Sequence, residues 1–251
     1  MSIRHCIRYN KTLDEIKEIH AQGASLDERD DLQQTLLHQA VSFHRMDIVK
    51  WLLDMGHQVN ATNQWQSTPL HIAASYQNRE MIQYLRSRGA KDLPDRDGVY
   101  PVHSAAIYDS EHIMDLFADT INVRGIYGET PLIKSINGTV YDCAKQMIRM
   151  GAKLNIPNQE GLTALHAAVY KGELNLIKML IEWGAEINVF DDEWCNPAEW
   201  AVAQDEFPIA KFLVEMGTKE LIVDESNSRA FRHLAKYAHL YRRSALLALV
   251  Q

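Results

Sequence analysis

The sequence predicts an all-α repeat solenoid, a stack of helix-turn-helix units joined by short turns. A motif of the form Thr68-Pro-Leu-His71 recurs six times, and its copies begin at residues 35, 68, 100, 130, 163 and 196, which are 30 to 33 residues apart by subtraction. Small residues and then an apolar stretch follow each copy, which indicates two helices per repeat. The second stretch usually runs into Gly-Ala and an Asn, as in Gly184-Ala-Glu-Ile-Asn188, and Gly favours a helix stop there.

The two ends of the array differ from its middle. Thr12 and Glu15 have the pattern of a capping box at a helix start, so residues 1–29 are predicted to form an N-terminal capping half-repeat. Six repeats follow over residues 30–221. Apolar residues recur at roughly helical spacing over residues 222–251, which predicts a C-terminal helical cap. We expect these three segments to form one elongated domain.

Two repeats depart from the common pattern. One lacks the Gly-Ala stop between Ala118 and Ile121 and is shorter than its neighbours, so its second helix is predicted to end early or bend. The next repeat has Ile133 at the position of the motif His, Gly138 inside its predicted first helix, and the small Cys143 in its second helix. We therefore expect thinner packing in the middle of the array.

These motifs closely resemble the ankyrin-repeat family, whose signature contains Thr-Pro-Leu-His and Gly-Ala-x-x-Asn. The resemblance covers almost the whole chain and implies an ankyrin-like stack in which a β-turn finger precedes each pair of antiparallel helices. It also implies that the motif histidines hydrogen-bond backbone groups of the fingers, and that the first helices and the fingers line a concave face. The histidines concerned are His38, His71, His103 and His166.

The composition is that of a soluble globular protein, with 46 % apolar and 24 % charged residues. No apolar run approaches the roughly 20 residues that span a bilayer, and residues 1–20 are polar and charged, so we expect neither a membrane span nor a signal peptide. Three widely spaced cysteines indicate no disulfide framework and favour a reducing, cytoplasmic location. A net charge of -7 disfavours general nucleic-acid binding and favours a basic or neutral partner.

No residue pattern points to catalysis. The sequence contains no Gly-x-Ser-x-Gly elbow, no phosphate-binding glycine-rich loop before a Lys, and no His-Glu-x-x-His. The motif histidines are a whole repeat apart, which favours a structural role over a shared metal ion. We therefore expect no enzymatic activity, no cofactor and no metal.

The register of the repeats identifies candidate binding residues. The seventh and eighth residues after each motif start are expected on the concave face, together with the finger residue three before it. Aromatic residues are frequent at these positions, and since Tyr and Trp dominate interface hot spots, they predict a protein-binding face. The alternative is that these rings pack on one another between repeats. The candidate binding set is Phe43, Trp65, Tyr76, Tyr108, Tyr127, Tyr170, Lys171 and, beside the finger position Glu193, Trp194.

The function predicted from these observations is non-catalytic binding of a partner protein or peptide through the concave aromatic face. Because the repeats are less regular than the family consensus, we interpret the source as bacterial or viral, where such proteins act as effectors or as inhibitors of a toxin or enzyme. The alternative is a nucleotide or oligonucleotide sensor. In it Tyr108, Tyr127 and Tyr170 would stack bases while Arg124, Lys134 and Lys171 meet phosphates.

Overall fold

The computed structural model describes residues 2–108 and 110–218. It divides the chain into two compact units, residues 1–126 (unit 1) and residues 127–251 (unit 2). The described residues contain helices and turns but no β-strand, and their one isolated β-bridge joins Arg29 and Thr35. The all-α repeat fold is therefore confirmed. The predicted boundaries of the caps and repeats stay predictions, and the cap over residues 222–251 lies outside the described part of the chain.

Helical hairpins build unit 1. Its α-helices within the described residues are α1 (Ile3–Arg8), α2 (Leu13–Ala21), α3 (Leu36–Ser42), α4 (Met46–Asp54), α5 (Pro69–Ser75), α6 (Arg79–Ser87) and α7 (Pro101–Ala106). Helix α1 packs on α3, α3 on α5 and α5 on α7, so the first helices of successive hairpins form one layer. The predicted capping box at Thr12 and Glu15 begins α2, because each side chain accepts a hydrogen bond from the backbone N–H of the other.

Unit 2 repeats the same hairpin. Its described α-helices are α8 (Pro131–Asn137), α9 (Tyr141–Arg149), α10 (Ala164–Tyr170), α11 (Leu174–Glu182), α12 (Pro197–Ala203) and α13 (Phe207–Glu215). Helix α10 lies between α8 and α12, and α11 packs on α9. Apolar side chains that recur in each repeat, such as Leu165, Ile177 and Leu180, are fully buried between these helices.

The motif histidine joins one repeat to the next. Backbone N–H of Thr68 donates to Nδ1 of the His71 ring at 3.0 Å, so this nitrogen carries no proton. The proton is therefore on Nε2, which donates to the carbonyl oxygen of Val99 in the following finger at 2.9 Å. His38 makes the same contact with Ser67 at 3.0 Å, and His166 with Cys195 at 3.3 Å. The role expected for these three side chains is confirmed.

The irregular repeats differ from their neighbours in two ways. Where the Gly-Ala stop is missing, residues Glu111–Thr120 form 3₁₀ turns in place of an α-helix, and Phe117 has a non-helical backbone. The expected bend is therefore present. The placement of Gly138 inside a helix was wrong: α8 ends at Asn137, and Gly138 is its C-cap, since the chain reverses into α9 at Thr139 with a left-handed φ of 63°.

Replacing His71 by Ala should lower the free energy of unfolding by about 1 to 3 kcal/mol, because the Val99 carbonyl and the Thr68 N–H both lose a buried partner. Chemical denaturation measures this loss. The exposed His112 provides the control, and His112→Ala should change stability much less. Equal losses in the two variants would contradict the bridging role of His71.

Stability should fall as the medium becomes acidic. Burial lowers the pKa of His38 to about 4 and also lowers the pKa values of His71 and His166. An unfolded His has a pKa near 6.5, so between pH 6.5 and about pH 4 the unfolded chain binds more protons than the folded chain does. For His38 the loss of stability between about pH 7 and pH 5 is about 2 kcal/mol.

Thermal melting at the two pH values measures this effect. The variant His38→Gln, which cannot titrate, should show a smaller difference than the wild-type chain. The same melting temperature at both pH values in the wild-type chain would show that these rings are not held neutral by the fold.

Candidate functional site

Each finger is a tight turn that ends where a first helix begins. The six fingers cover residues 30–35, 63–68, 95–100, 125–130, 158–163 and 191–196. In five of them the first residue is Asp or Asn, and its Oδ1 accepts hydrogen bonds from the backbone N–H groups two and four residues later. This Asx turn fixes the finger backbone from within.

The finger over residues 125–130 begins instead with Gly125. A Cβ at this position would lie 2.8 Å from Nε2 of His103. A side chain here would therefore collide with the ring of the motif histidine. The absence of a side chain lets that ring approach, and the finger forms without an Asx turn.

Neighbouring fingers are also tied together by their backbones. Within each unit, a backbone carbonyl oxygen of one finger accepts a hydrogen bond from a backbone N–H of the next finger. The acceptor residue lies three residues before the start of its motif, and the donor residue lies four residues before the start of the following motif. The bonds are Gln64 to Leu32 and Arg96 to Trp65 in unit 1, and Gln159 to Tyr127 and Asp192 to Glu160 in unit 2, at 2.8 to 3.0 Å. The side chains of these finger residues are consequently held at fixed intervals.

In unit 1 the predicted aromatic residues are exposed. Phe43 and Tyr76 are the C-caps of α3 and α5, Tyr108 follows α7, and Trp65 lies on a finger. The Tyr76 ring contacts the His44 ring edge to face, with the ring centroids 5.0 Å apart. About half of each of the four residues is accessible to solvent, with exposures from 41 to 53 %.

In unit 2 the predicted residues are exposed to a similar or greater degree. Tyr127 and Trp194 lie on fingers and Tyr170 ends α10, with exposures of 66, 60 and 55 %. Lys171 is the C-cap of α10, and its Nζ lies 5.6 Å from the centroid of the Tyr170 ring. Trp194 has a left-handed φ of 62°, at a turn position where three other fingers have Gly98, Gly128 and Gly161 and the first two have Gln33 and Gln66.

A groove of about 330 Å³ opens beside Tyr170 and Lys171 in unit 2. First helices and fingers both contribute to its lining. The lining residues are Ile133, Asn137, Asn158, Glu160, Leu162, His166, Ala167, Tyr170, Lys171 and Trp200. The groove therefore brings together two of the predicted residues, while Tyr127 and Trp194 do not line it.

Trp200 is the residue of this groove that the sequence analysis missed. It stands four residues after the motif start, and this position carries Gln39 in the first repeat and Ala167 in the preceding one. Trp200 Nε1 donates to Oδ2 of Asp191 at 2.7 Å, and Gln39 Nε2 donates to Oδ2 of Asp30 at 3.2 Å. If the sequence analysis had also considered the position four residues after each motif start, it would have identified Trp200.

A larger cavity, of about 550 Å³, lies in unit 1 between the segment that follows α2 and the segment that follows α4. Charged groups of both signs line it, among them Asp27, Glu28 and Arg29. Arg29 already donates to the carbonyl oxygens of Gln33 and Thr62. None of the predicted binding residues lines this cavity.

All three cysteines of the chain, Cys6, Cys143 and Cys195, are buried. Burial, followed by the nearby Asp191 carboxylate, raises the pKa of the Cys195 thiol to about 12. Since the thiolate is the nucleophile, this side chain is unreactive near neutral pH. No group of three or more His, Cys, Asp or Glu side chains in the described ranges could hold a metal ion.

The geometry defines a protein made of stacked helical hairpins with protruding fingers. A family model for ankyrin repeats, built of three copies, matches residues 3–93 and 135–224, which together are more than half of the chain. The chain belongs to the ankyrin-repeat family. The stretch between the two matched segments contains the 3₁₀ turns of Glu111–Thr120, where the repeat pattern is least regular. Ankyrin repeats are generally protein–protein interaction modules.

Solved ankyrin-repeat domains share this fold. The ankyrin-repeat domain of Bcl-3, a member of the IkappaB protein family, superposes with a TM-score of 0.74 at 21 % identity, over 86 % of this chain and 98 % of that domain. The ankyrin-repeat domain of human ASB11 superposes with a TM-score of 0.73 at 21 % identity, over 88 % of this chain and 99 % of that domain. Among curated proteins, no sequence matches the chain.

No helix in the described part of the chain is long and apolar enough to cross a membrane.

Replacing Asp191 by Asn tests how the finger holds Trp200. The amide keeps an Oδ1 for the finger turn, as Asn158 does in the preceding repeat, but its nitrogen cannot accept the indole hydrogen bond. We expect a loss of about 1 to 3 kcal/mol in stability and a shift of the Trp200 indole NMR signal.

The variant Asp191→Ala should lose more stability, because the finger turn also loses its acceptor. If the Asn variant left the Trp200 signal unchanged, the indole would not depend on this carboxylate for its position.

Proposed function

We propose that the chain is a non-catalytic module that binds a partner protein or peptide through the aromatic side chains of its fingers and first-helix ends. The observation that carries this proposal is the exposure of all seven aromatic residues of the candidate binding set, each at 41 % or more. A solvent-facing surface without a partner is normally polar, and Tyr and Trp contribute large contact areas with few rotatable bonds.

The backbone of Trp194 supports the same proposal. A bulky residue with a left-handed φ costs of order 1 kcal/mol or more relative to glycine. Trp194 is 60 % exposed although its ring lies beside the Phe190 ring, with the centroids 6.4 Å apart. A partner that covers the ring would explain why Trp occupies this position.

A non-catalytic binding function is consistent with an effector, an inhibitor or a scaffold, because each of these acts by occupying the surface of a partner. The three buried, widely spaced cysteines suit a reducing compartment, and we propose a cytoplasmic location on that ground. The nucleotide-sensor alternative has less support, because Lys134, one of its proposed phosphate ligands, already lies 3.4 Å from the Glu129 carboxylate.

Peptide display on the wild-type chain tests the proposal, followed by affinity measurements on the enriched peptides. Two double variants remove the candidate rings: Trp65→Ala with Tyr76→Ala in unit 1, and Tyr170→Ala with Trp194→Ala in unit 2. Loss of one hot-spot ring costs about 2 kcal/mol or more, so affinity should fall about 30-fold or more in at least one of them.

The matched control is Trp183→Ala, which removes an equally exposed ring at the end of a second helix, outside the fingers and first-helix ends. This control should bind like the wild-type chain, and all three variants should keep its helical content. Peptides that bind both double variants as tightly as the wild-type chain would refute the proposal. Stabilisation by a nucleotide in a thermal-shift panel would favour the sensor instead.

A further inference from the structure

The groove of unit 2 exists because one small residue lies among larger ones. Ala167 lies at its floor and is 6 % exposed, whereas the equivalent positions of the neighbouring repeats carry Lys134 and Trp200. The first repeat carries Gln39 at this position. The helix therefore accepts larger side chains here, and the hollow is a property of this repeat rather than of the fold.

Two aromatic rings form one wall of the groove. The centroids of Tyr170 and Trp200 are 6.0 Å apart and their planes are inclined by 75°. The hydrogen bond from Trp200 Nε1 to Asp191 holds the indole, so its N–H is already occupied, and the indole lines the groove beside the Tyr170 ring. The Lys171 ammonium already lies over the Tyr170 ring at 5.6 Å, which shows that a cation reaches this wall.

The charges around the groove favour a positively charged ligand. Of the described residues that line it, Glu160 carries the one carboxylate and Lys171 the one ammonium. Glu160 is exposed and forms no ion pair within the described chain. The next finger adds the exposed carboxylates of Asp192 and Glu193, and Asp192 donates its N–H to the Glu160 carbonyl.

We propose that this groove receives an arginine side chain of the partner, with the guanidinium against Tyr170 and Trp200 and paired with Glu160. The proposal rests on the proposed binding function and names the chemistry of its ligand. A planar guanidinium stacks on aromatic faces and pairs with a carboxylate at the same time, which a compact ammonium does less well. Lys171 would leave the Tyr170 ring when the arginine enters.

The test uses short blocked peptides with one central residue and otherwise alanine: arginine, its neutral isostere citrulline, lysine or glutamate. Each is titrated at millimolar concentration into the ¹⁵N-labelled full chain, and the Trp200 indole signal is followed after assignment with Trp200→Phe. We expect the arginine peptide to bind about threefold to tenfold more tightly than the citrulline peptide, from the cation–π and carboxylate contacts together.

Two variants localise the effect. Glu160→Gln should remove most of the preference for arginine over citrulline, while Glu182→Gln, an exposed carboxylate on α11, should leave it unchanged. Ala167→Gln fills the floor of the groove with a side chain found at this position in the first repeat, and should abolish the Trp200 shift without loss of the fold.

Equal binding of arginine and citrulline, stronger binding of glutamate, or no shift with any peptide would each overturn the arginine proposal. None of these outcomes bears on whether displayed peptides bind the aromatic residues. Failure of this inference and failure of the proposed function are therefore separate results.

Discussion

The neutral imidazole ring of the motif histidine is the contact on which the stack depends. Its Nδ1 can only accept from the N–H at the start of its own helix, as in Thr68 and His71, and this leaves the proton on Nε2 for the carbonyl of the next finger. One side chain thus satisfies a helix start and joins two repeats. Because protonation would place a hydrogen against the N–H of the helix start, the same ring makes the stack sensitive to acid.

The proposed binding surface inherits its geometry from these joints. The histidine fixes where a finger ends relative to the helix before it, the Asx turn fixes the finger itself, and the backbone bonds between fingers set the interval from one to the next. In the last described repeat a single carboxylate, Asp191, holds both the finger turn and the indole of Trp200. Exposed rings on this framework are held ready for a partner before it arrives, which lowers the entropy lost on binding.

The sequence predicted the features that depend on spacing and missed those that depend on local backbone or on side-chain size. From the repeat period it was possible to predict the helical hairpins, the histidine contacts and the exposed positions of residues such as Tyr76 and Tyr170. Gly138 was misplaced because a helix end is set by which carbonyls find partners, and the motif spacing does not encode this. Trp200 was missed because its position is buried in some repeats, as at Gln39, and its role depends on the small Ala167 beside it.

The acceptor of the histidine bond is a backbone carbonyl, and this has an evolutionary consequence. The three described partners belong to Ser67, Val99 and Cys195, a hydroxyl, an aliphatic and a thiol side chain, and none of these side chains takes part in the bond. A repeat therefore makes this joint whatever residue precedes the next motif. Duplication or exchange of whole repeats between genes would preserve the joint, so ligand specificity could diversify by recombination while the scaffold stayed intact.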